Sequence, residues 1–196
     1  RPVIGYASGR TAAEAIAAET GGAALALDLT ERASIDAAIE GLAGGADDLA
    51  GVVLAASPPP AIAPLFRLPD GELDRQWQVN VAGSLGLLDG AVRRLMRPRK
   101  TGWVVGILSD AMGCEGTAAK SMGGYIIAKY GLLGLLKALD AEYAWLDVHT
   151  VSPGYTETAM LNAFDNRFLD QMRAAAGPFA TPDQVAADIM ACVEGR

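Results

Sequence analysis

The chain has 196 residues, of which 51% are hydrophobic and 20% are charged, and its formal net charge is −7. So many apolar residues exclude an intrinsically disordered protein, and the acidic excess argues against general binding to nucleic acid. No apolar stretch reaches the roughly 20 residues of a membrane span, and two cysteines, Cys114 and Cys192, are too few for a disulfide scaffold. We therefore expect a cytoplasmic single domain over residues 1–196, with no membrane or nucleic-acid partner.

The first half of the chain alternates short apolar runs with helical patterns. A strand is predicted over 3–7, and the spacing of Thr11 and Glu14 predicts a capping box that opens a helix to about Glu19. A second strand over 23–27, a helix over 34–42 and a third strand over 49–55 follow. Three prolines after Ser57 end that strand, and a long helix is predicted over 73–96.

The same alternation continues to the end of the sequence. Strands are predicted over 103–108 and 148–151, separated by a strongly apolar helix over 124–143. A last helix is predicted to begin with Thr181 as its cap and Pro182 in its first position. Continuous apolar strands that alternate with helices are typical of a parallel sheet buried on both faces. The sequence therefore predicts an α/β fold, a doubly wound parallel sheet of the Rossmann-like kind.

Ligands of such sheets bind beyond the carboxyl ends of the strands. The clearest chemical pair there is Tyr125 and Lys129, which lie four residues apart and so share one face of a helix. A nearby ammonium favours the phenolate and is expected to lower the pKa of Tyr125 towards neutrality, as an acid–base group requires. The alternative is a solvent-facing Tyr and Lys on an ordinary helix.

Five motifs in register strengthen the catalytic interpretation. They are Asp28-Leu29-Thr30, Asn80-Val81-Ala82-Gly83, Ser109, Tyr125 with Lys129, and Pro153-Gly154-Tyr155-Thr156-Glu157-Thr158. Their order and spacing resemble the short-chain dehydrogenase/reductase superfamily over essentially the whole chain. The opening Tyr6-Ala7-Ser8 and the Pro-Gly-x-x-Glu-Thr motif look most like its 3-oxoacyl-carrier-protein reductase branch.

The resemblance implies a role for each matching residue. Tyr125 would exchange a proton with the substrate oxygen, Lys129 would tune it and hold the nicotinamide ribose, and Ser109 would steady the carbonyl. Asn80 would anchor a proton-relay water, although it is open whether it is only a polar spacer in a helix. Ser121 is a rival for Ser109, because the loop that precedes Tyr125 is long for the family.

The resemblance also implies a dinucleotide site. Asp28 would bind the adenine amino group, unless it only caps the next turn, and Thr158 with the backbone near Thr156 would hold the carboxamide. Ser8 and Arg10, with no carboxylate before Glu14, favour the 2′-phosphate of NADPH. The remaining cofactor contacts would come from Leu29, Ala56, Pro153 and Gly154.

Two departures from the family pattern bear on function. No Gly-x-x-x-Gly-x-Gly turn occurs, and the family's first strand is missing, so we expect the domain to be N-terminally incomplete. Leu54-Ala55-Ala56-Ser57 replaces the family's Asn-Asn-Ala-Gly. Either residues lie upstream, or this is a natural partial domain without dinucleotide binding.

Three surface features suggest partners or substrates. Five basic residues form a cluster that either docks an acyl carrier protein or balances a helix C-terminus: Arg93, Arg94, Arg97, Arg99 and Lys100. The resemblance implies a homodimer or homotetramer packed through the helices at 73–96 and 124–143. The segment 160–172, with Phe164 and Phe168, resembles a substrate lid, and no metal site is visible.

These observations favour an NADPH-dependent reductase that transfers hydride to a ketone, with a 3-oxoacyl thioester as one candidate. The alternative is a non-catalytic, dehydrogenase-like partner or assembly subunit that has lost dinucleotide binding.

Overall fold

The structure, a computed structural model, describes residues 1–45, 48–114 and 116–194. Its strands are β1 (Val3–Tyr6), β2 (Ala23–Ala26), β3 (Gly51–Leu54), β4 (Trp103–Ile107) and β5 (Asp147–Val151). Its α-helices are α1 (Arg10–Thr20), α2 (Arg32–Ala43), α3 (Glu72–Trp77), α4 (Ser84–Leu88), α5 (Gly123–Glu142), α6 (Asn166–Ala176) and α7 (Pro182–Val193). Two compact units result, one formed by Arg1–Ala50 with Ala82–Thr101 and the other by Gly51–Val81 with Gly102–Arg196.

The first unit pairs β1 with β2 in parallel, with Val3 opposite Ala23. Its helical part consists of α1, α2 and the helical turns of residues 82–96, which are π-helical from Asp89 to Met96. Ile39 and Val92 are both buried, and Gly90 lies against Ile39, where a larger residue would collide with that side chain. The core of this unit therefore depends on glycines that allow close helix approach.

The second unit contains a three-stranded parallel sheet in the order β3-β4-β5. Val52 lies opposite Val104, and Val105 lies opposite His149. Helix α5 covers β4, where Gly106 leaves room for the buried Leu136. The other side of α5 meets α3, because Gly131 admits the ring of Trp77. Every strand pair in both units is parallel, as the continuous apolar strands predict.

Within the described residues, β1 pairs only with β2, and β3 pairs only with β4 and not with a second strand. Each is thus an edge strand of its own sheet within the described part of the chain. None of the helices in the described part of the chain combines the length and apolarity that crossing a membrane requires.

Two helix predictions need correction. Gly9, not Thr11, is the N-cap of α1 and no side chain caps the helix, because it begins at Arg10 and places Thr11 inside the first turn. The predicted helix over 73–96 begins at Glu72, and its hydrogen-bond pattern is interrupted by a π-helical segment at Gln78–Gly83 and another at Asp89–Met96. Such segments are rare and are found frequently at functional sites.

Replacing Gly83 by Ala tests the close packing in the first unit. A Cβ at this helical position would overlap the backbone carbonyl oxygen of Leu29, which cannot move like the end of a flexible side chain. We expect the free energy of unfolding, measured in urea, to fall by about 1–3 kcal/mol. Gly134 in α5 is the matched control, since a Cβ there meets nothing within 4 Å and Ala should stabilise the helix by about 0.5–1 kcal/mol. Equal effects at the two glycines would contradict this packing.

Candidate functional site

A cavity of about 720 Å³ lies beyond the carboxyl ends of the three strands in the second unit. Ala55 and Ser57 reach it after β3, Ser109 after β4, and the segment from Pro153 after β5. Tyr125 and Lys129 enter from the first two turns of α5. The sheet therefore brings its strand ends together at the place where parallel sheets bind ligands.

Tyr125 and Lys129 are almost fully buried, with exposed fractions of 6% and 1%. The Lys129 ammonium lies 5.5 Å from the centre of the Tyr125 ring and donates a hydrogen bond of 2.8 Å to the carbonyl oxygen of Ile107. This contact ties α5 to the end of β4. The alternative of a solvent-facing Tyr–Lys pair is wrong, because both side chains are inside the protein.

Ser109 belongs to the same cluster. Its side chain hydrogen-bonds Tyr125, and its Oγ also accepts from the backbone N–H of Ala111 at 3.2 Å. The rival Ser121 is not among the described residues that line the cavity. Its backbone is in the left-handed region, at φ 62°, and its carbonyl oxygen accepts from the N–H of Ala63. The geometry therefore favours Ser109.

Burial sets the protonation of Tyr125 and Lys129. It raises the pKa of Tyr125, and the hydrogen bond with Ser109 only partly opposes this effect. Burial lowers the pKa of Lys129 to about 8. The sequence-based expectation of a lowered Tyr125 pKa is therefore wrong for this structure, because removal of the phenolate from water outweighs the hydrogen bond with Ser109. Tyr125 is protonated at neutral pH and can act as a proton donor.

The predicted cofactor residues near β5 also face the cavity. Pro153, Gly154, Thr156 and Thr158 are in its lining, whereas Ala56 is exposed and outside it. The predicted lid contributes through residues on its inner side: Met160, Leu161, Phe164 and Met172. Phe168 stacks on Phe164 from behind, with ring centres 5.8 Å apart.

Asn80 is completely buried in the π-helical segment that follows α3. Its Nδ2 donates to the Gln76 carbonyl oxygen at 3.0 Å and to Gln76 Oε1 at 3.3 Å. Gln76 Nε2 in turn donates to Glu72 Oε1 at 3.0 Å. Glu72, Gln76 and Asn80 thus form a hydrogen-bonded ladder along one helix face.

The carboxylate at the start of this ladder fixes the direction of both amides. An ionised Glu72 can only accept, so Gln76 must point its NH₂ group towards it and its oxygen towards Asn80. Asn80 must then point its own NH₂ group at Gln76. Its Oδ1 is consequently left without a hydrogen-bond partner among the described residues, as is Ser57 Oγ at the cavity. Buried unpartnered acceptors are rare and indicate a functional or water-binding role.

Glu72 and Gln76 are functional residues of the ladder that were not predicted from the sequence. Besides the ladder, Glu72 Oε1 accepts from the backbone N–H of Ala61 at 3.0 Å, and Gln76 Nε2 donates to the Pro59 carbonyl oxygen at 3.1 Å. They therefore hold the proline loop that continues into Pro60 at the cavity. The spacing of four residues between buried polar positions is the signal that could have revealed them.

Replacing Glu72 by Gln should lower the free energy of unfolding at pH 7 by about 1.5–3 kcal/mol, because hydrogen bonds to a carboxylate are lost. Those hydrogen bonds, with Arg75, hold the pKa of Glu72 below its ordinary value although burial raises it. The stabilisation is therefore present above the unfolded-state pKa and is lost as the pH falls through the folded-state value. Urea unfolding between pH 7 and 3 should show the two proteins converging. Asp74→Asn, an exposed change in the same helical turn, is the control and should leave the pH dependence of the free energy of unfolding intact. An equal loss of stability in Asp74→Asn would contradict the role of Glu72 in the ladder.

The other predicted cofactor residues belong to the first unit. Arg10 donates through Nε to the Tyr6 hydroxyl at 2.9 Å and lies 3.6 Å from the Glu14 carboxylate. Asp28 Oδ1 accepts from the backbone N–H and the hydroxyl of Thr30, at 2.9 and 2.7 Å, and these bonds lower the pKa of Asp28.

Ser8 is exposed in the turn after β1. Leu29 is 7% exposed and packs against Gly83. Asp28 thus stabilises the turn after β2, which is the alternative that its sequence left open, while Ser8 and Arg10 remain at the surface.

The basic cluster is partly paired within the first unit. Arg93 lies 2.6 Å from Asp89 and Arg94 lies 2.6 Å from Glu40, while Arg99 donates to the Leu49 carbonyl oxygen at 2.7 Å. All of the side chains in these two ion pairs are at least two-fifths exposed, so the pairs contribute little to stability.

Comparison with known proteins places the chain in a family. The family model described as enoyl-(acyl carrier protein) reductase matches residues 3–193. Tropinone reductase-like 3 from Erythroxylum coca is 34% identical over 108 residues, which cover 55% of this chain and 40% of that protein. Sorbitol dehydrogenase from Cereibacter sphaeroides is 28% identical over 166 residues, covering 81% and 62%. The chain therefore spans less than two thirds of the length of either relative.

A solved structure shows the same fold. Gluconate 5-dehydrogenase from Burkholderia cenocepacia, in complex with NADP and tartrate, superposes with a TM-score of 0.82 at 22% identity, over 95% of this chain and 75% of that one. This likeness confirms the Rossmann-like α/β class. Since the family model covers nearly all of the chain, the chain belongs to the short-chain dehydrogenase/reductase superfamily.

Proposed function

We propose that the protein is an NADPH-dependent carbonyl reductase that transfers hydride to a ketone, with a 3-oxoacyl thioester as one candidate. The observation that carries the proposal is the meeting of Ser109, Tyr125 and Lys129 at one cavity beyond the strand ends. Position in the fold, burial and mutual contact all agree with acid–base chemistry on a carbonyl group.

In the proposed reduction, Tyr125 donates its phenolic proton to the carbonyl oxygen as negative charge develops there. Its raised pKa keeps that proton in place at neutral pH. Ser109, which is hydrogen-bonded to Tyr125, orients the same oxygen. Asn80 Oδ1, fixed as an acceptor by the ladder, would hold a water that resupplies the proton. NADPH supplies the hydride when it is bound.

The residues near the reacting end fit a dinucleotide. An ammonium has three N–H donors, and Lys129 uses one on the Ile107 carbonyl oxygen. The others can bind the nicotinamide ribose hydroxyls, while Thr156 and Thr158 at the cavity can bind the carboxamide. In the first unit, the exposed Ser8 and Arg10 favour a 2′-phosphate, and hence NADPH, although Glu14 near Arg10 opposes it.

Partners are proposed on surface features alone. The basic cluster would dock an acidic acyl carrier protein, for which the partial exposure of its side chains is suitable. It consists of Arg93, Arg94, Arg97, Arg99 and Lys100. Trp77 and Tyr130 on α3 and α5 are 44% and 46% exposed, which supports a homodimer or homotetramer that covers them. Cys114 and Cys192 are free thiols, as in the reducing cytoplasm.

A non-catalytic, dehydrogenase-like subunit is the second candidate. It is favoured by Leu54-Ala55-Ala56-Ser57 at the end of β3, which replaces the Asn-Asn-Ala-Gly of the family. The buried acid–base cluster favours the enzyme, because burying Lys129 is costly and needs a functional reason.

Titration calorimetry with NADPH and with NADH separates the two candidates. We expect micromolar binding that favours NADPH, and a loss of this preference in Arg10→Ala. A screen of ketones for NADPH oxidation would follow. Absence of dinucleotide binding by residues 1–196 would mean that these residues do not act as a reductase by themselves, and would favour the subunit.

A further inference from the structure

We infer that the cavity selects neutral ketones with a bulky apolar body and rejects both carboxylate-bearing and polyhydroxylated ones. The inference deepens the proposed function and rests on it, since it names the substrate class for the same site. It depends on an apolar wall of the cavity and on the charged groups around that wall.

One wall of the cavity is apolar. It is formed by side chains of the segment 160–189, which contains α6 and most of α7: Met160, Leu161, Phe164, Met172, Phe179, Val185 and Ile189. These side chains offer no hydrogen-bond donor and only weak thioether acceptors. A sugar or polyol bound there would lose its hydrogen bonds to water without replacement.

An aromatic cluster gives this wall a fixed shape. The Tyr155 ring stacks on Phe179 with centres 5.1 Å apart and meets Phe164 edge-on at 5.6 Å. The backbone supports the cluster, because the Ala180 N–H donates to the Tyr155 carbonyl oxygen at 3.0 Å and the Glu157 N–H donates to the Ala180 carbonyl oxygen at 2.9 Å. Such a preformed apolar surface suits a ring or hydrocarbon chain.

The charges around the cavity disfavour anions. Among the described residues that line it, Asp110 and Lys129 are the ones with charged side chains. Lys129 lies at the reacting end, bound to Ile107, whereas Asp110 adds a negative charge beside Gly154.

Arg173, a cation on α6, is not among the residues that line the cavity and is already engaged. Its guanidinium lies 4.5 Å from the Phe179 ring centre and pairs with Glu157 at 3.0 Å and with Asp170 at 3.4 Å. A substrate carboxylate at the apolar wall would therefore be buried without a counter-charge, which is strongly unfavourable.

A matched set of ketones tests this selection. The probes are 2-decanone, 9-oxodecanoate, which carries a carboxylate at the far end of the same chain, and fructose. Binding is measured by calorimetry in the presence and absence of NADPH, and kcat/KM by NADPH oxidation. We expect 2-decanone to bind at least about 100-fold more tightly than either other ketone.

A charge placed on the wall should reverse the preference. Met172→Lys adds an ammonium inside the cavity, whereas Gln171→Lys adds the same charge at an exposed neighbour outside its lining. We expect Met172→Lys to bind 9-oxodecanoate in preference to 2-decanone and Gln171→Lys to behave as the parent. Ile189→Lys, on α7, repeats the test if the first variant does not fold.

The outcomes separate the inference from the proposed function. Binding of 2-decanone without reduction would support the inferred site and contradict the reductase. Reduction of fructose or 9-oxodecanoate as efficiently as 2-decanone would support the reductase and overturn the inferred selection. Equal responses of the two lysine variants would also overturn it.

Discussion

Replacing Tyr125 by Phe is expected to lower kcat/KM for ketone reduction by about 10²–10⁴-fold, the usual contribution of a positioned general acid. The substitution removes one oxygen atom and leaves the ring that packs in the cavity. NADPH oxidation in the presence of 2-decanone measures the effect. Because the lost proton transfer occurs only in the transition state, kcat should carry most of the change.

The fold should tolerate the same substitution. Tyr125 is buried and its hydroxyl is hydrogen-bonded to Ser109, so we expect only a small loss of stability, of about 1 kcal/mol. Tyr143→Phe is the matched control, since this residue lies at the opposite end of α5 with its ring against Trp145. It should retain parental activity. A Tyr125→Phe enzyme as active as the parent would remove Tyr125 from the mechanism.

Local sequence signals predicted the elements well. Thr181 caps α7, Pro182 occupies its first turn, and Gln184 completes a capping box that bonds back to Thr181. The box predicted for Thr11 and Glu14 failed because two residues at the right spacing do not determine where a helix begins. In the structure Arg10 opens the helix and bonds to Tyr6.

The three residues that meet at the cavity were indicated by local features of the sequence. Tyr125 and Lys129 share a helix face at four-residue spacing, and Ser109 follows a strand. The direction of the Tyr125 pKa shift was not predictable in the same way, because burial is a tertiary property. Likewise, the four-residue spacing of Glu72, Gln76 and Asn80 indicates a shared helix face, but not the contacts of Glu72 and Gln76 with the proline loop.

As the pH rises, the loss of the Lys129 proton is expected to lower activity and to raise the stability of the folded protein. Burial disfavours the ammonium and lowers the pKa of Lys129 in the folded state to about 8, from an ordinary value of 10.5. Between pH 8 and 10 the unfolded chain therefore holds a proton that the folded protein releases. Stability rises with pH wherever the unfolded state binds more protons, so this group should add about 2–3 kcal/mol across that window.

The same titration should limit catalysis. As the pH rises through about 8, Lys129 loses the charge that the proposed reduction uses next to Tyr125 and the nicotinamide ribose. We expect ketone reduction to decline above this pH, while Tyr125, with its raised pKa, is still protonated. Activity should therefore fall in the range where the folded state becomes more stable.

Lys129→Met tests both effects in one protein. It keeps a long side chain but removes the buried charge, so the pH-dependent gain in the free energy of unfolding should vanish and ketone reduction should be lost. The free energy of unfolding is measured in urea at pH 7 to 10 for parent and variant. The difference between the two isolates the contribution of Lys129, because the contributions of the tyrosines cancel. Lys137→Met, an exposed change on the same helix, should keep both the gain and the activity. If the gain persisted in Lys129→Met, the buried ammonium would not be its source, because the variant has no amine to titrate.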